Sequence, residues 1–215
     1  MGILIMRDEN GSSELLDRIR AGDLGAIDPL FTMYRERLKR MIRLRLNRRL
    51  KGRIDESDIL QEALIEASQR LPDYLKESEM PFYLWVRYIA GQKLTDAHRR
   101  HLGTQMRDAA QEISLHRGAF PAASTASLAA QLVGQFSSPS QAAIKAEMRI
   151  RVQETLNAMD PTDREILAMR HFEQLSNTEI AQLLGLSESG ATARYLRALK
   201  RFKEIIAAIP GFFDQ

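Results

Sequence analysis

Cysteine is absent from the 215 residues, so disulfide staples, thiolate metal sites and cysteine nucleophiles are excluded. Histidine is almost as scarce. His98, His101, His116 and His171 form no cluster with matching carboxylates, and no metal site is expected. The chain has no phosphate-binding glycine loop and no nucleophile beside a base. Asp55 and Asp58 form an acidic pair of the kind that binds magnesium, but nothing else supports an enzyme on nucleic acid. Long apolar runs are missing as well. Met1 to Met6 is cut short by Arg7, Asp8 and Glu9, and no later stretch nears the roughly 20 residues of a membrane span. A cytoplasmic, metal-free protein with no cofactor, no small-molecule substrate and no membrane association is expected.

What is present suits two small helical domains, since a chain of this length leaves each only a modest core. The hydrophobic fraction of 44% and a charged fraction of 27% mixed in sign argue for a folded chain. Net charge is only +3, so its distribution carries the information.

From Ile27 the residues Leu30, Phe31, Tyr34, Leu38, Met41 and Ile42 recur at helical spacing. Arg35, Arg37, Lys39, Arg40, Arg43, Arg45, Arg48, Arg49, Lys51 and Arg53 accompany them as a basic run suited to a polyanion, or to a solvated face. The sign then reverses. Asp55, Glu56, Asp58, Glu62 and Glu66 precede or lie on a helix with Leu60, Ala63, Leu64, Ala67 and Leu71 inside, which Pro72 is expected to stop. A further helix opens at Pro81. In it Phe82, Trp85, Val86 and Ile89 have core spacing, whereas Tyr83 and Tyr88 are read as freer to meet a ligand before Lys93, Arg99 and Arg100.

Periodicity fades from Gly103 to about Gln141, where the composition becomes that of a linker with room for helical turns near Ser127 to Val133. Ile144, Met148, Val152, Leu156 and Met159 restart a helix. Asp160-Pro161 begins another, and Ser176-Asn177-Thr178-Glu179 is a capping box. Gly185-Leu186 then makes a turn, with Leu186 expected to plug the angle behind it. Ser187 caps a last helix with Ala191, Tyr195, Leu199, Phe202 and Ile206 inward. Helix, glycine turn and basic helix read as helix-turn-helix, whose second helix offers Glu188, Ser189 and Thr192 to base edges and Arg194 and Arg197 to guanine or phosphate.

Asp55-Glu56-Ser57-Asp58-Ile59-Leu60-Gln61-Glu62-Ala63 resembles the second conserved region of RNA polymerase sigma factors. Phe82 to Ala90 with Leu94 to Arg100 resembles their stretch that opens and reads the −10 element, and the helix-turn-helix resembles the fourth region, which reads the −35 element. The three motifs stand in the family's order, and the lack of an identifiable third domain makes the chain resemble the compact extracytoplasmic-function (ECF) group in particular. The resemblance implies an all-α fold: a helical bundle over 13–102, a flexible linker over 103–143, and a helix-turn-helix domain over 144–208. It implies docking on the clamp helices and flap of core polymerase, the former through Asp55, Asp58, Ile59, Gln61, Glu62 and Glu66. Tyr83, Arg87, Tyr88, Lys93, Asp96, Arg99 and Arg100 would meet −10 DNA. Thr178, Glu188, Ser189, Thr192, Arg194, Arg197 and Lys200 would meet −35 DNA. An anti-sigma partner is a further expectation, as is stimulus-controlled initiation. Gly190, Ala191 and Gln92-Lys93 depart from the family's usual residues. The rival reading is a regulator that binds operator DNA as a dimer, for which no dimerisation or sensory element is visible.

Overall fold

The computed structural model describes residues 2–50, 52–102, 112–115, 118–136 and 142–207; among them, nine α-helices and one two-stranded hairpin make up the regular elements longer than a 3-10 turn. The chain divides into two compact units, Met1–Arg107 and Asp108–Gln215. Lys51 and the Ser137 to Ser140 cluster lie outside the described residues, as do the side chains of Arg48 and Ile144.

The first unit contains α1 (Gly2–Arg20), α2 (Ile27–Arg45), α3 (Glu56–Glu77) and α4 (Phe82–Leu102). Helix α1 starts ahead of Ser13, where the bundle is expected to begin, and its Leu16 and Ile19 are buried. The stripe Leu30, Phe31, Tyr34, Leu38, Met41 and Ile42 of α2 is buried as its spacing requires. At the head of α3, Asp55 accepts the Ser57 N–H and Asp58 accepts the Asp55 N–H at 3.2 Å, a reciprocal capping box. The Ser57 amide is the main cause holding the Asp55 carboxyl below its ordinary range, against the opposing effect of burial.

Pro72 does not stop α3, which continues to Glu77. Both Ser68, whose carbonyl would have received the missing N–H, and Pro72 itself are exposed, a position where the loss of that bond costs least. Leu71 and Tyr74 anchor the last turns in the core, and the Tyr74 hydroxyl donates to the Met80 carbonyl at 2.8 Å. Burial pushes that phenol up to about 12, so it remains a donor. Helix α4 begins at Phe82, one residue later than expected, with the Pro81 carbonyl accepting the Trp85 N–H at 3.1 Å. Phe82 sits in an aromatic cluster with Phe31 at 5.8 Å, Tyr34 at 5.8 Å, Tyr74 at 5.5 Å and Trp85 at 5.6 Å between ring centroids. Trp85 thus packs, as its spacing suggests.

The second unit begins with a hairpin, β1 (Glu112–Leu115) and β2 (Gly118–Pro121), antiparallel with Ile113 opposite Phe120. Next come α5 (Thr125–Phe136), α6 (Ala142–Ala158), α7 (Pro161–His171), α8 (Asn177–Leu184) and α9 (Glu188–Ala207). The segment expected to be a linker thus supplies a hairpin and a full helix, and both pack onto this unit. Leu128, Ala129 and Val133 of α5 are buried, and the Ala123 N–H donates to the buried Glu165 carboxylate on α7 at 3.1 Å. Twelve residues of α5 form no core alone, but they complete the one beside them.

Asp160 caps α7 by accepting the Thr162 and Asp163 amides at 2.9 and 3.2 Å. The Ser176 and Glu179 box at α8 is reciprocal, at 3.1 and 2.7 Å. Gly185 then turns the chain at φ +64°, the left-handed conformation that suits glycine. The Leu186 side chain does not plug the interhelical angle; it is 38% exposed, and only its N–H is fixed, to the Ala181 carbonyl at 2.9 Å. Ala181 and Leu183 of α8 and Ala191 of α9 are buried.

Candidate nucleic-acid interface

On α9 the Ser187 hydroxyl accepts the Gly190 N–H at 3.1 Å, so the helix is capped where the sequence places its start. Its first turn is tied to α8. Thr178 Oγ1 donates to Glu188 Oε1 at 2.6 Å, and Asn177 Nδ2 donates to Thr192 Oγ1 at 2.9 Å. Accepting from Asn177 leaves the Thr192 hydroxyl its own hydrogen to donate. Asn177 was not picked out from the sequence, since the residue after a cap reads as part of the cap.

Arg194 behaves differently from its neighbours. Its guanidinium donates to Asp163 at 2.8 Å and Asp160 at 3.0 Å, binding α9 to the start of α7. That engagement makes Arg194 a clamp within the unit, with 32% of its side chain still exposed. Of the other residues expected to meet −35 DNA, Thr178, Glu188, Ser189, Arg197 and Lys200 are exposed and Thr192 is half-buried.

Burial alone would raise the Asp160 carboxyl, but the Asp163 and Thr162 amides and the Arg194 guanidinium outweigh it and hold it below its ordinary value. A carboxyl depressed on folding stabilises the fold above its unfolded pKa, and that contribution is lost as pH falls through the folded one. Stability of the second unit should therefore decline below about pH 4, and Asp160→Asn should flatten the decline. Amide exchange in α7 and α9, compared between native and variant chains, measures this; identical pH profiles would contradict it.

In the first unit an acidic row lies along α3. Asp58, Gln61 and Glu62 are exposed, and Ile65, at 54%, is an exposed apolar side chain in the same i, i+3, i+4, i+7 row. Ile65 lies outside the buried stripe that spacing picks out on this helix and is not named from the sequence. Asp55 is exposed at the cap, whereas Ile59, expected to dock a partner, is 3% exposed and packs inward. Glu66 is largely covered and paired with Arg70 and Lys93.

On α4 the expected DNA-contacting residues divide. Tyr83 and Arg87 are buried, at 2% and 1% exposure, and so are corrected from strand contacts to core members. Tyr83 lies beneath the Arg37 guanidinium, 3.7 Å from ring centroid to carbon, and 5.4 Å from the Tyr34 ring. Tyr88, half-buried, accepts from Gln92 at 3.0 Å. Asp96, Arg99 and Arg100 are exposed, and Lys93 is partly covered. The His98 ring accepts the Asn47 N–H at 3.3 Å, and burial lowers its pKa, which suits a neutral acceptor.

The basic run is likewise split. Arg37 and Arg45 are buried, and neither is without a partner, while Arg43 pairs with Glu56 at 2.7 Å. Arg35, Arg49 and Arg53 are exposed. Among the described residues no group of histidines and carboxylates could hold a metal ion, and no helix is long and apolar enough to cross a membrane.

Residues 149–202 match the family model described as Sigma-70, region 4. The chain is 30% identical over 189 residues to the ECF RNA polymerase sigma factor SigD of Mycobacterium tuberculosis, covering 87% of this chain and 81% of that one. It is 28% identical over 207 residues to the ECF sigma factor ShbA of Streptomyces griseus, covering 93% and 98%. A solved structure of CnrH in complex with the cytosolic domain of CnrY has a like fold, with a TM-score of 0.51 at 19% identity, covering 94% of this chain and 97% of that one.

Proposed function

This chain belongs to the ECF RNA polymerase sigma factors, which direct transcription initiation, and from that premise we propose how its two units divide the work. The exposed row Asp58, Gln61, Glu62 and Ile65 on α3 docks the clamp helices of core polymerase. Helix α9 reads the −35 element in the major groove through Glu188, Ser189, Thr192 and Arg197. Lys93, Arg99 and Arg100 hold the −10 strand, with Tyr88 and Asp96 beside them.

The observation that carries this reading is the α3 row, in which an apolar side chain stands among exposed acids. Such a centre with a polar rim is the anatomy of a protein-docking surface. The reading of DNA rests on the capped, α8-braced start of α9, which holds base-reaching groups in fixed positions. Binding to core polymerase places both DNA readers on one platform, so that each needs little affinity of its own. A protein partner that covers these docking faces, as CnrY accompanies CnrH, is the anti-sigma arrangement proposed for this chain.

Reconstitution tests the proposal. The native chain should co-elute with bacterial core polymerase and support promoter-dependent transcript, with DNA affinity that falls steeply with salt. A folded chain that ignores polymerase but binds duplex DNA tightly as a dimer would overturn it in favour of a conventional regulator.

A further inference from the structure

The buried residues of α9 lie along one side of the helix, at Ala191, Ala198 and Ile206. At about 3.6 residues per turn, Ser189, Ala193, Leu196 and Lys200 fall half a turn round the helix from Ala191 and Ala198. All four are exposed. Leu196, at 56%, is therefore a large apolar side chain in the middle of the face opposite the core. Its surroundings along the helix are cationic: Arg197 follows it and is exposed, and Lys200, one turn on, has a side chain 81% exposed and 3.9 Å from Glu204.

Single exposed leucines are common on protein surfaces and carry no meaning by themselves. Position gives this one its meaning. The floor of a DNA major groove is made of hydrogen-bond donors and acceptors, and the thymine 5-methyl is the apolar group among them. A leucine laid against guanine, or against the amino group of cytosine or adenine, removes water and returns no hydrogen bond, which costs free energy. Laid against a thymine methyl, it buries apolar surface and gains. Ala193, one turn earlier on the same face, is also of a type that suits a thymine methyl.

Resting on the proposed reading of the −35 element by α9, we infer that Leu196, with Ala193 beside it, recognises the 5-methyl group of thymine. Leu196 is thus a specificity-determining residue, and the element holds a thymine, on one strand or the other, where this side chain lies. Ser189 and Arg197 supply the polar contacts on either side of it.

Deoxyuridine pairs as thymidine does and lacks only that methyl, so it isolates the contact. The full chain, assembled with bacterial core polymerase, selects duplexes from a pool randomised over the −35 element. Each thymine of the selected element is then replaced singly by deoxyuridine. At one or two positions the replacement should weaken holoenzyme binding about three- to fivefold, the worth of one buried methyl group. Leu196→Ala should bring the thymine and uracil duplexes to nearly equal affinity at one of those positions. Ile150→Ala, which trims a comparably exposed apolar side chain (59%) on α6, should keep every native ratio. Circular dichroism checks that both variants remain folded. A native chain indifferent to every replacement, a selected element without thymine, or a Leu196→Ala chain that keeps every native ratio would overturn the inference and leave the reading of the −35 element standing. A holoenzyme that selects no sequence there removes that reading, and the inference with it.

Discussion

Replacing Glu62 by Lys removes stable association with core polymerase, with an expected loss of at least about 30-fold, while the same change at Glu14 leaves it intact. Glu62 is exposed in the middle of the α3 row, one turn before Glu66 and beside the apolar Ile65. Reversal presents a cation to the surface proposed to receive the acids of this row, which converts an attraction into a repulsion in a partly desolvated contact. Asp58 is a poorer site for this measurement. Its carboxylate accepts the Asp55 N–H at 3.2 Å, so changing it also weakens the start of α3 and confounds docking with folding. Gel filtration of native and E62K chains with core polymerase, with helicity checked by circular dichroism, reads the effect. A folded E62K chain that co-elutes like the native one would remove Glu62 from the docking face.

Phe82→Ala should cost the first unit about 3 to 5 kcal/mol. The ring is 4% exposed and meets four other aromatic rings, so its removal leaves a cavity bounded by stiff side chains that cannot collapse inward. Against the typical 5 to 15 kcal/mol of a domain, that loss is a large share. The chain has one tryptophan, and Trp85 lies against both Phe82 and Tyr74, the latter at 4.5 Å. Its fluorescence therefore reports unfolding of this unit in urea. A change below about 1 kcal/mol would show that the cluster repacks, contrary to the cavity argument.

The sequence is most legible where a local rule has a single structural solution. Asp160 before Pro161, the Ser176 to Glu179 box, and Gly185 at a positive φ all stand where spacing places them. Such signals depend on backbone groups a few residues away, so nothing distant can override them. Burial of charge is another matter. Arg37, Arg45 and Arg87 read as parts of basic surfaces, but each is buried, because tertiary neighbours such as Tyr83 beneath Arg37 give a guanidinium a place inside. Tyr83 and Trp85 were ranked for exposure in the wrong order for the same reason: helical spacing identifies an apolar face but not how deeply each position lies.

The hairpin goes unread in the sequence, and α5 reads there only as helical turns in a linker, because its stripe is too small to build a core alone. Leu128, Ala129 and Val133 are buried once the second unit offers a face to cover. Pro72 misled for a related reason. A proline is expected to end a helix, but an exposed carbonyl one turn earlier costs little when water can reach it.

Anyone seeking to retarget this protein to new promoters would reach first for α9 as an exchangeable part. The ties described above argue that it is not one. Glu188 and Thr192 hold their positions through Thr178 and Asn177, and Arg194 is anchored to Asp160 and Asp163 on the edge of α7. A transplanted α9 would arrive without these supports, leaving two carboxylates of the host without their cation. The exchangeable module is the whole stretch from Asp160 to the end of α9, and a library that varies specificity while preserving the fold would confine itself to Ser189, Ala193, Leu196, Arg197 and Lys200.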